Sequence, residues 1–186
     1  MIQKALPKAP TLVLVITNDS AVFLKDGVAS AFEMFGGRAQ EVKHLVARLD
    51  LAKKKDGSKL CEVSFGIITS HFGYVPADYT VMPYPVSEVM SKKEDYERVQ
   101  KAKDFLGTIN YTSKIFDRII VCVPKDLFAM MLADNTLPQG RVIAVTSPEF
   151  RDECAARDWA FLERKGPRVG AENTAAIMQM VRDISE

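Results

Sequence analysis

Five short apolar runs alternate with helical patterns along the chain. They occupy residues 11–17, 59–69, 117–124, 141–146 and 159–162. Apolar runs of this length, rich in β-branched residues, predict buried strands. Because strands that alternate with helices form a parallel sheet covered on both faces, we predict a three-layer α/β/α sandwich. The predicted sheet is mainly parallel and has four to five strands.

Helical patterns fill most of the intervals between these runs. Within residues 40–54, Val42, Leu45, Val46 and Leu49 recur at helical spacing and form one apolar face. Comparable patterns predict further helices over residues 21–34, 87–106, 125–133 and 172–184, and one that begins at Ser147 and Pro148. With no internal repeat or linker, residues 1–186 are predicted to form a single domain.

Polar and aromatic residues follow the predicted strands, where a ligand site is expected. In parallel α/β sheets, ligands bind outside the carboxyl ends of the strands. We therefore predict a binding site whose candidates share a position at a strand end or in an adjoining loop. They are Asn18, Asp19 and Ser20 after the first strand, Thr69, Ser70, His71, Gly73 and Tyr74 after the second, Lys125 and Asp126 after the third, Ser147 after the fourth, and the loop residues Tyr84 and Arg168.

The interval 70–85 contains three prolines and three tyrosines and is predicted to be a loop. We expect it to form one wall of the principal pocket, opposite the turn at residues 18–20, with His71 or Tyr74 reaching into the pocket. His71 is the best candidate for general acid–base chemistry, since an imidazole titrates near neutral pH. The alternative is a loop histidine that bonds its own backbone. The tyrosines either stack on a flat ligand or fix the loop to the core.

Composition and motifs exclude several classes of function. Lys and Arg number 25 against 24 Asp and Glu, which favours neither a nucleic-acid tail nor a membrane surface. The fingerprints G-x-G-x-x-G, G-x-x-x-x-G-K-[ST] and G-x-S-x-G are absent from the sequence, and two histidines with three scattered cysteines give no metal-ligand spacing. We therefore expect neither a metal nor another cofactor.

The cysteines indicate the compartment. Cys61, Cys122 and Cys154 are odd in number and far apart, which argues against a disulfide framework and for the reducing cytoplasm. Lysines precede the first apolar run, but its shortness, the prolines before it and the lack of a cleavage site predict a strand rather than a signal peptide. Two interpretations of Cys61 and Cys122 stay open. Either cysteine forms a nucleophilic pair with His71, or both are inert buried thiols.

The runs IITSHFGYV and VMPYP resemble the signature of a small, uncharacterised Rossmann-like family. In that family a strand ends Ser-Ala-Lys-Tyr-Gly-Leu, and a Pro-Tyr-Asp follows later. Related cores occur in proteins linked to peroxide stress and as a module of some tRNA-modifying enzymes. The resemblance implies the Rossmann-like fold. Matching positions are Thr69, Ser70, Phe72, Gly73, Pro83 and Tyr84, while His71 stands at the lysine, Pro85 at the aspartate, and Thr17-Asn18 at the family's Cys-Ser.

Two functions from different classes fit this sequence. The first is binding of a nucleotide- or nucleobase-like small molecule, with or without a reaction, in a pocket lined by the strand-end candidates. The second is a non-catalytic domain that binds nucleic acid or a protein, and an oligomer is compatible with either. A deep pocket at the strand ends would favour the first, and a continuous basic stripe the second. The basic residues in question are Lys53, Lys54, Lys55, Lys92, Lys93 and Arg168.

Overall fold

The computed structural model describes residues 9–186 and contains a six-stranded sheet between two layers of helices. Residues 1–8, part of the segment weighed above as a signal peptide, lie outside the described residues. The strands are β1 (Thr11–Asn18), β2 (Ala29–Ser30), β3 (Cys61–Thr69), β4 (Gly73–Pro76), β5 (Thr80–Val81), β6 (Arg118–Val121), β7 (Val142–Thr146) and β8 (Ala160–Glu163). The helices are α1 (Ala31–Met34), α2 (Ala39–Leu51), α3 (Lys93–Lys103), α4 (Phe105–Ser113), α5 (Lys125–Ala133), α6 (Arg151–Ala156) and α7 (Ala171–Ser185).

The strand order of the main sheet is β4-β3-β1-β6-β7-β8, and every neighbouring pair is parallel except β3 with β4. The predicted three-layer, mainly parallel architecture is thereby confirmed. From β1 the chain moves outward to β3 and then returns to the opposite side of β1 to form β6. This reversal leaves a crevice outside the carboxyl ends of β1 and β6, where ligands of such folds bind.

Apolar side chains fill both faces of the sheet. One cluster packs β1 and β3 side chains against α2 and α7, through residues such as Val42, Leu45 and Ile177. The other packs the opposite face against α3, α4, α5 and α6, with Phe105 and Phe128 fully buried. Central strands therefore read as nearly continuous apolar runs, because both of their faces lie inside the protein.

The sheet has one strand more than predicted, because part of the interval 70–85 is not a loop. Gly73–Pro76 folds back along the end of β3 as an antiparallel edge strand, with Tyr74 opposite Ile68. Gly73 makes the reversal possible, since its φ of 70° lies in the left-handed region. The proline at the end of this strand does not interrupt it, because an edge position tolerates a missing donor.

The predicted helix over residues 21–34 is wrong except for its last turn. Ser30 and Glu33 form a capping box that starts α1 at Ala31. The preceding residues pair with the end of α1 and the chain directly after it, through the backbone bonds Leu24 N to Met34 O and Gly36 N to Val22 O, both 2.8 Å. Tertiary pairing thus overrides the local helical pattern.

The single long helix predicted over residues 87–106 is also wrong. Val86–Glu88 forms one 3-10 turn, an irregular segment follows, and α3 begins only at Lys93. Asp104, with a φ of 45°, then separates α3 from α4 and accepts a hydrogen bond from the backbone N–H of Gly107. Gly107 therefore lies in the first turn of α4 and does not end a helix.

The remaining elements agree with the pattern, α5 at both ends and the others within a few residues. Trp159 is buried, contacts Phe128 of α5, and donates its indole N–H to Pro138 O at 2.9 Å. None of the helices in the described part of the chain combines the length and apolar character needed to cross a membrane.

Candidate functional site

A cleft of about 540 Å³ opens at the carboxyl edge of the sheet, at the crevice between β1 and β6. Four parts of the chain form its walls, and the chain reversal in the sheet brings them together. They are residues 18–22 after β1, Gly37 and Arg38 before α2, the segment 86–91 with Tyr96 of α3, and Pro124 with Arg168. Residues as far apart in the sequence as Asn18 and Arg168 thus meet at the predicted edge.

Asp19 is the acid that lines this cleft, and it is buried, with 1% of its surface exposed. Its Oδ2 accepts hydrogen bonds from the Ser70 backbone N–H at 2.7 Å, from the Ser70 hydroxyl at 2.6 Å, and from the Tyr84 hydroxyl. Its Oδ1 is buried without any partner. Burial raises the pKa of this carboxyl, while Ser70, Tyr84 and the charge of Arg168 act in the opposite direction.

Asn18 and Ser20 flank this carboxylate and play different parts. The Asn18 side chain is 2% exposed, and its Oδ1 has no hydrogen-bond partner. Ser20 donates from its hydroxyl to Gly36 O at 2.8 Å, which ties the end of β1 to the turn before α2. Asn18 therefore offers a free acceptor beside the cleft, whereas Ser20 fixes the cleft wall.

Arg168 brings a positive charge to the same cleft, although only 4% of its surface is exposed. Glu41 accepts the backbone N–H groups of Arg168 and Val169, each at 2.9 Å, which holds the loop against α2. The guanidinium forms no ion pair with any described residue, and its Nε has no partner. Burial, with the charges of Arg164 and Arg38, lowers the pKa of Arg168 to about 10, so it stays protonated at neutral pH.

Several predicted candidates support the site from behind without lining it. Ser70 and Tyr84 hold the Asp19 carboxylate, as described above. Thr69 donates its hydroxyl to Gly73 O at 3.0 Å and thereby closes the turn between β3 and β4. Hydrogen bonds to Asp19 thus connect the candidates predicted at the end of the first strand with those predicted after the second.

The expectation that His71 or Tyr74 reaches into the pocket is wrong. Neither lines the cleft, whose wall is the segment 86–91 rather than 70–85. The antiparallel pairing of β4 places the Tyr74 ring over Gly66, where it is fixed against the sheet. The His71 ring stacks on Tyr84 with centroids 4.1 Å apart, and its Nε2 lies 2.5 Å from Glu88 Oε2.

The other candidates of the predicted rim lie apart from the cleft. Lys125 forms an ion pair with Glu149 at 2.8 Å, and neither Asp126 nor Ser147 lines the cleft. Burial raises the pKa of Cys61 to about 11 and that of Cys122 to about 12, so both thiols are protonated at neutral pH. All three cysteines are buried and free, which gives no support to a thiolate nucleophile.

The basic residues considered for nucleic-acid binding do not form one stripe. Lys53, Lys54 and Lys55 lie between α2 and the start of β3, at the amino edge of the sheet, where Arg182 donates to Lys53 O at 3.0 Å. Lys92 and Lys93 instead follow the segment 86–91 at the carboxyl edge. The two clusters therefore lie at opposite edges.

Sequence reasoning missed Arg38 and the segment 86–91 as cleft residues. Arg38 follows an irregular segment that had been predicted as a helix, and its local signal was the preceding pair Gly36 and Gly37. Most of the segment 86–91 fell within the long helix predicted over residues 87–106. Pro85, directly before the segment, restricts the backbone of the residue that precedes it and gave no sign that residues 89–92 are irregular.

A second groove, of about 730 Å³, runs beside β3 and includes Phe32, Phe65 and Ala77. This groove is larger than the cleft between β1 and β6, which we call the switch-point cleft because the direction of the strand order reverses there. None of the buried unpartnered polar atoms of the described residues belongs to the groove. Its lining therefore lacks groups that require a ligand. For this reason the smaller cleft is the better candidate for a binding site.

The switch-point cleft combines three kinds of chemical group. Two free acceptor atoms come from Asn18 and Asp19, a cationic guanidinium comes from Arg168, and apolar side chains such as Met90 and Tyr96 lie among them. This arrangement suits a ligand with N–H or O–H donors, an apolar or flat part, and an acceptor. Comparisons with protein-family models, curated proteins and solved structures found no match to this chain.

Proposed function

We propose that this chain is a small-ligand-binding α/β domain whose ligand is nucleotide- or nucleobase-like and lies in the switch-point cleft. One observation carries the proposal: three buried polar atoms around the cleft, on Asn18, Asp19 and Arg168, have no partner within the protein. Each such atom costs about 1–3 kcal/mol when it stays unsatisfied. A ligand that supplies two donors and an acceptor removes this cost.

The size and chemistry of the cleft support this ligand class. Its volume of about 540 Å³ falls in the range of small-molecule sites. Ring N–H groups of a nucleobase complement the acceptors of Asn18 and Asp19, and its flat face suits the side chains of Met90 and Tyr96. The parallel strands follow the order 2-1-3-4-5, in which nucleotide cofactors bind at the same switch point of other proteins.

The proposal concerns binding and assigns no reaction. A reducing compartment suits three free, buried thiols, and we propose the cytoplasm on that ground. The second function considered from the sequence, nucleic-acid binding, receives less support because the basic clusters lie at opposite edges of the sheet. A protein partner has no specific observation in its favour.

A thermal-shift screen with nucleobases, nucleosides, nucleotides and sugar phosphates tests the proposal. A ligand at about 100 times its Kd stabilises the native state by about 2.7 kcal/mol. We expect the substitution Asn18→Ala to weaken binding of any hit by at least about tenfold, which corresponds to about 1.4 kcal/mol. Asn110→Ala is the matched control, since Asn110 bonds Thr136 O outside the cleft. The absence of any hit, or unchanged binding to Asn18→Ala, would contradict the proposal.

A further inference from the structure

We infer that the cleft contains a phosphate subsite between Arg38 and Arg168, so that its ligand is a phosphomonoester rather than a neutral nucleoside. The inference rests on the proposed function for the ring end of the ligand and adds the charge of the other end. Two arginines line the cleft, one buried and one exposed, and neither has an anionic partner among the described residues.

The buried charge of Arg168 is the first argument. A guanidinium taken out of water requires a counter-ion and hydrogen-bond acceptors, because its desolvation is otherwise uncompensated. Arg168 is 4% exposed, yet its Nε–H has no acceptor. The nearby acid Glu41 does not serve, since its Oε2 accepts the backbone N–H groups of residues 168 and 169. The missing anion is therefore supplied from outside the protein.

Arg38 provides the second argument, because it adds a cation at the same wall. It lies at the amino end of α2, a helix of 13 residues, and makes no side-chain cap to that helix. The amino end of a helix carries a partial positive charge and favours phosphate groups. An arginine fork also matches the oxygens of a phosphate in two parallel hydrogen bonds.

The balance of charge around the cleft agrees with a bound phosphate. Arg38 and Arg168 face a single acid among the lining residues, Asp19. One oxygen of that carboxylate is already occupied by Ser70 and Tyr84. Arg164 lies close enough to add to the positive potential at Arg168. A phosphomonoester, with one to two negative charges, neutralises this excess.

The experiment compares each of the four common ribonucleosides with its 5′-monophosphate by isothermal titration calorimetry. We expect the monophosphate to bind at least about tenfold more tightly than its nucleoside, since charge-assisted hydrogen bonds exceed neutral ones in strength. Arg38→Gln should remove this difference between monophosphate and nucleoside. Arg48→Gln is the matched control, because Arg48 is an exposed arginine on the same helix that does not line the cleft.

Inorganic phosphate, compared with chloride at equal ionic strength in a thermal-shift assay, separates the two proposals. A shift that depends on Arg38, without binding of any nucleoside or nucleotide, would support the subsite and contradict the proposed function. Equal affinity for nucleosides and monophosphates would overturn the subsite while the proposed function stands. An advantage of the monophosphate that survives Arg38→Gln and Arg168→Lys would also overturn it. If neither phosphate nor nucleotides bind, both proposals fall.

Discussion

The two ends of the parallel strands, which form the amino edge and the carboxyl edge of the central sheet, differ in whether their polar groups are hydrogen-bonded. At the amino edge, Asp117 accepts the backbone N–H of Leu12 at 2.8 Å, and Arg141 donates to Lys114 O at 3.0 Å. At the carboxyl edge, by contrast, buried polar atoms are left without partners. All four such atoms of the described residues lie in segments that end or follow the strands at this edge. They belong to Asn18, Asp19, Thr146 and Arg168.

The contrast separates stability from binding. Both edges belong to the same strands, so strand geometry does not explain the difference. None of the buried unpartnered polar atoms of the described residues lies at the amino edge. Unsatisfied groups at the carboxyl edge reduce stability by their desolvation, and such a cost is expected where a ligand completes the site.

The largest effect on stability is expected from removing the Asp19 carboxylate, which accepts hydrogen bonds from Ser70 and Tyr84. Asp19→Ala leaves the Ser70 backbone N–H, the Ser70 hydroxyl and the Tyr84 hydroxyl without their acceptor. We expect a loss of about 3–5 kcal/mol in the free energy of unfolding. At the amino edge, Asp117 is exposed and accepts one hydrogen bond, so we expect Asp117→Ala to cost about 1 kcal/mol or less. Urea denaturation measures both, and equal losses would remove the contrast between the edges.

A smaller effect is expected in the pH dependence of the stability, through the titration of Asp19. Burial raises the pKa of Asp19 above its ordinary value of 3.8, so the folded state holds the proton to higher pH than the unfolded state does. The stabilising contribution of this group is therefore full below pH 3.8 and is lost as the pH rises through the folded pKa. Asp19→Asn removes the titration. The stability of the wild type relative to Asp19→Asn should fall as pH rises across this window, and a rise instead would show that hydrogen bonds dominate over burial.

The smallest effect is expected at His71, which sequence reasoning had placed in the pocket. His71→Ala removes a partly exposed contact with Glu88 and the stacking on Tyr84, at a cost of about 1 kcal/mol or less. Binding of a ligand in the cleft should change by less than about threefold. Denaturation together with calorimetry checks both values. A tenfold loss of affinity without loss of stability would move the site toward the turn between β3 and β4.

The sequence was sufficient for the architecture and for part of the site. Long apolar runs identify central strands reliably, because burial on both faces leaves few polar positions, as in β1 and β7. Topology alone then places Asn18, Asp19 and Arg168 at one edge. Short elements stabilised by tertiary contacts were not predictable. β4 and the turn before Arg38 depend on pairing with distant residues, and that pairing also decides that His71 stacks on Tyr84 rather than entering the cleft.

The decisive measurement is a crystal structure of the chain grown with a 5′-ribonucleoside monophosphate. We predict ligand density in the cleft, with a phosphate oxygen in hydrogen-bond contact with the guanidinium of Arg168. We further predict that a ring donor of the ligand bonds the free oxygen of Asn18 or Asp19. A cleft that holds only water, or a ligand bound in the groove beside β3, would contradict the proposed binding site.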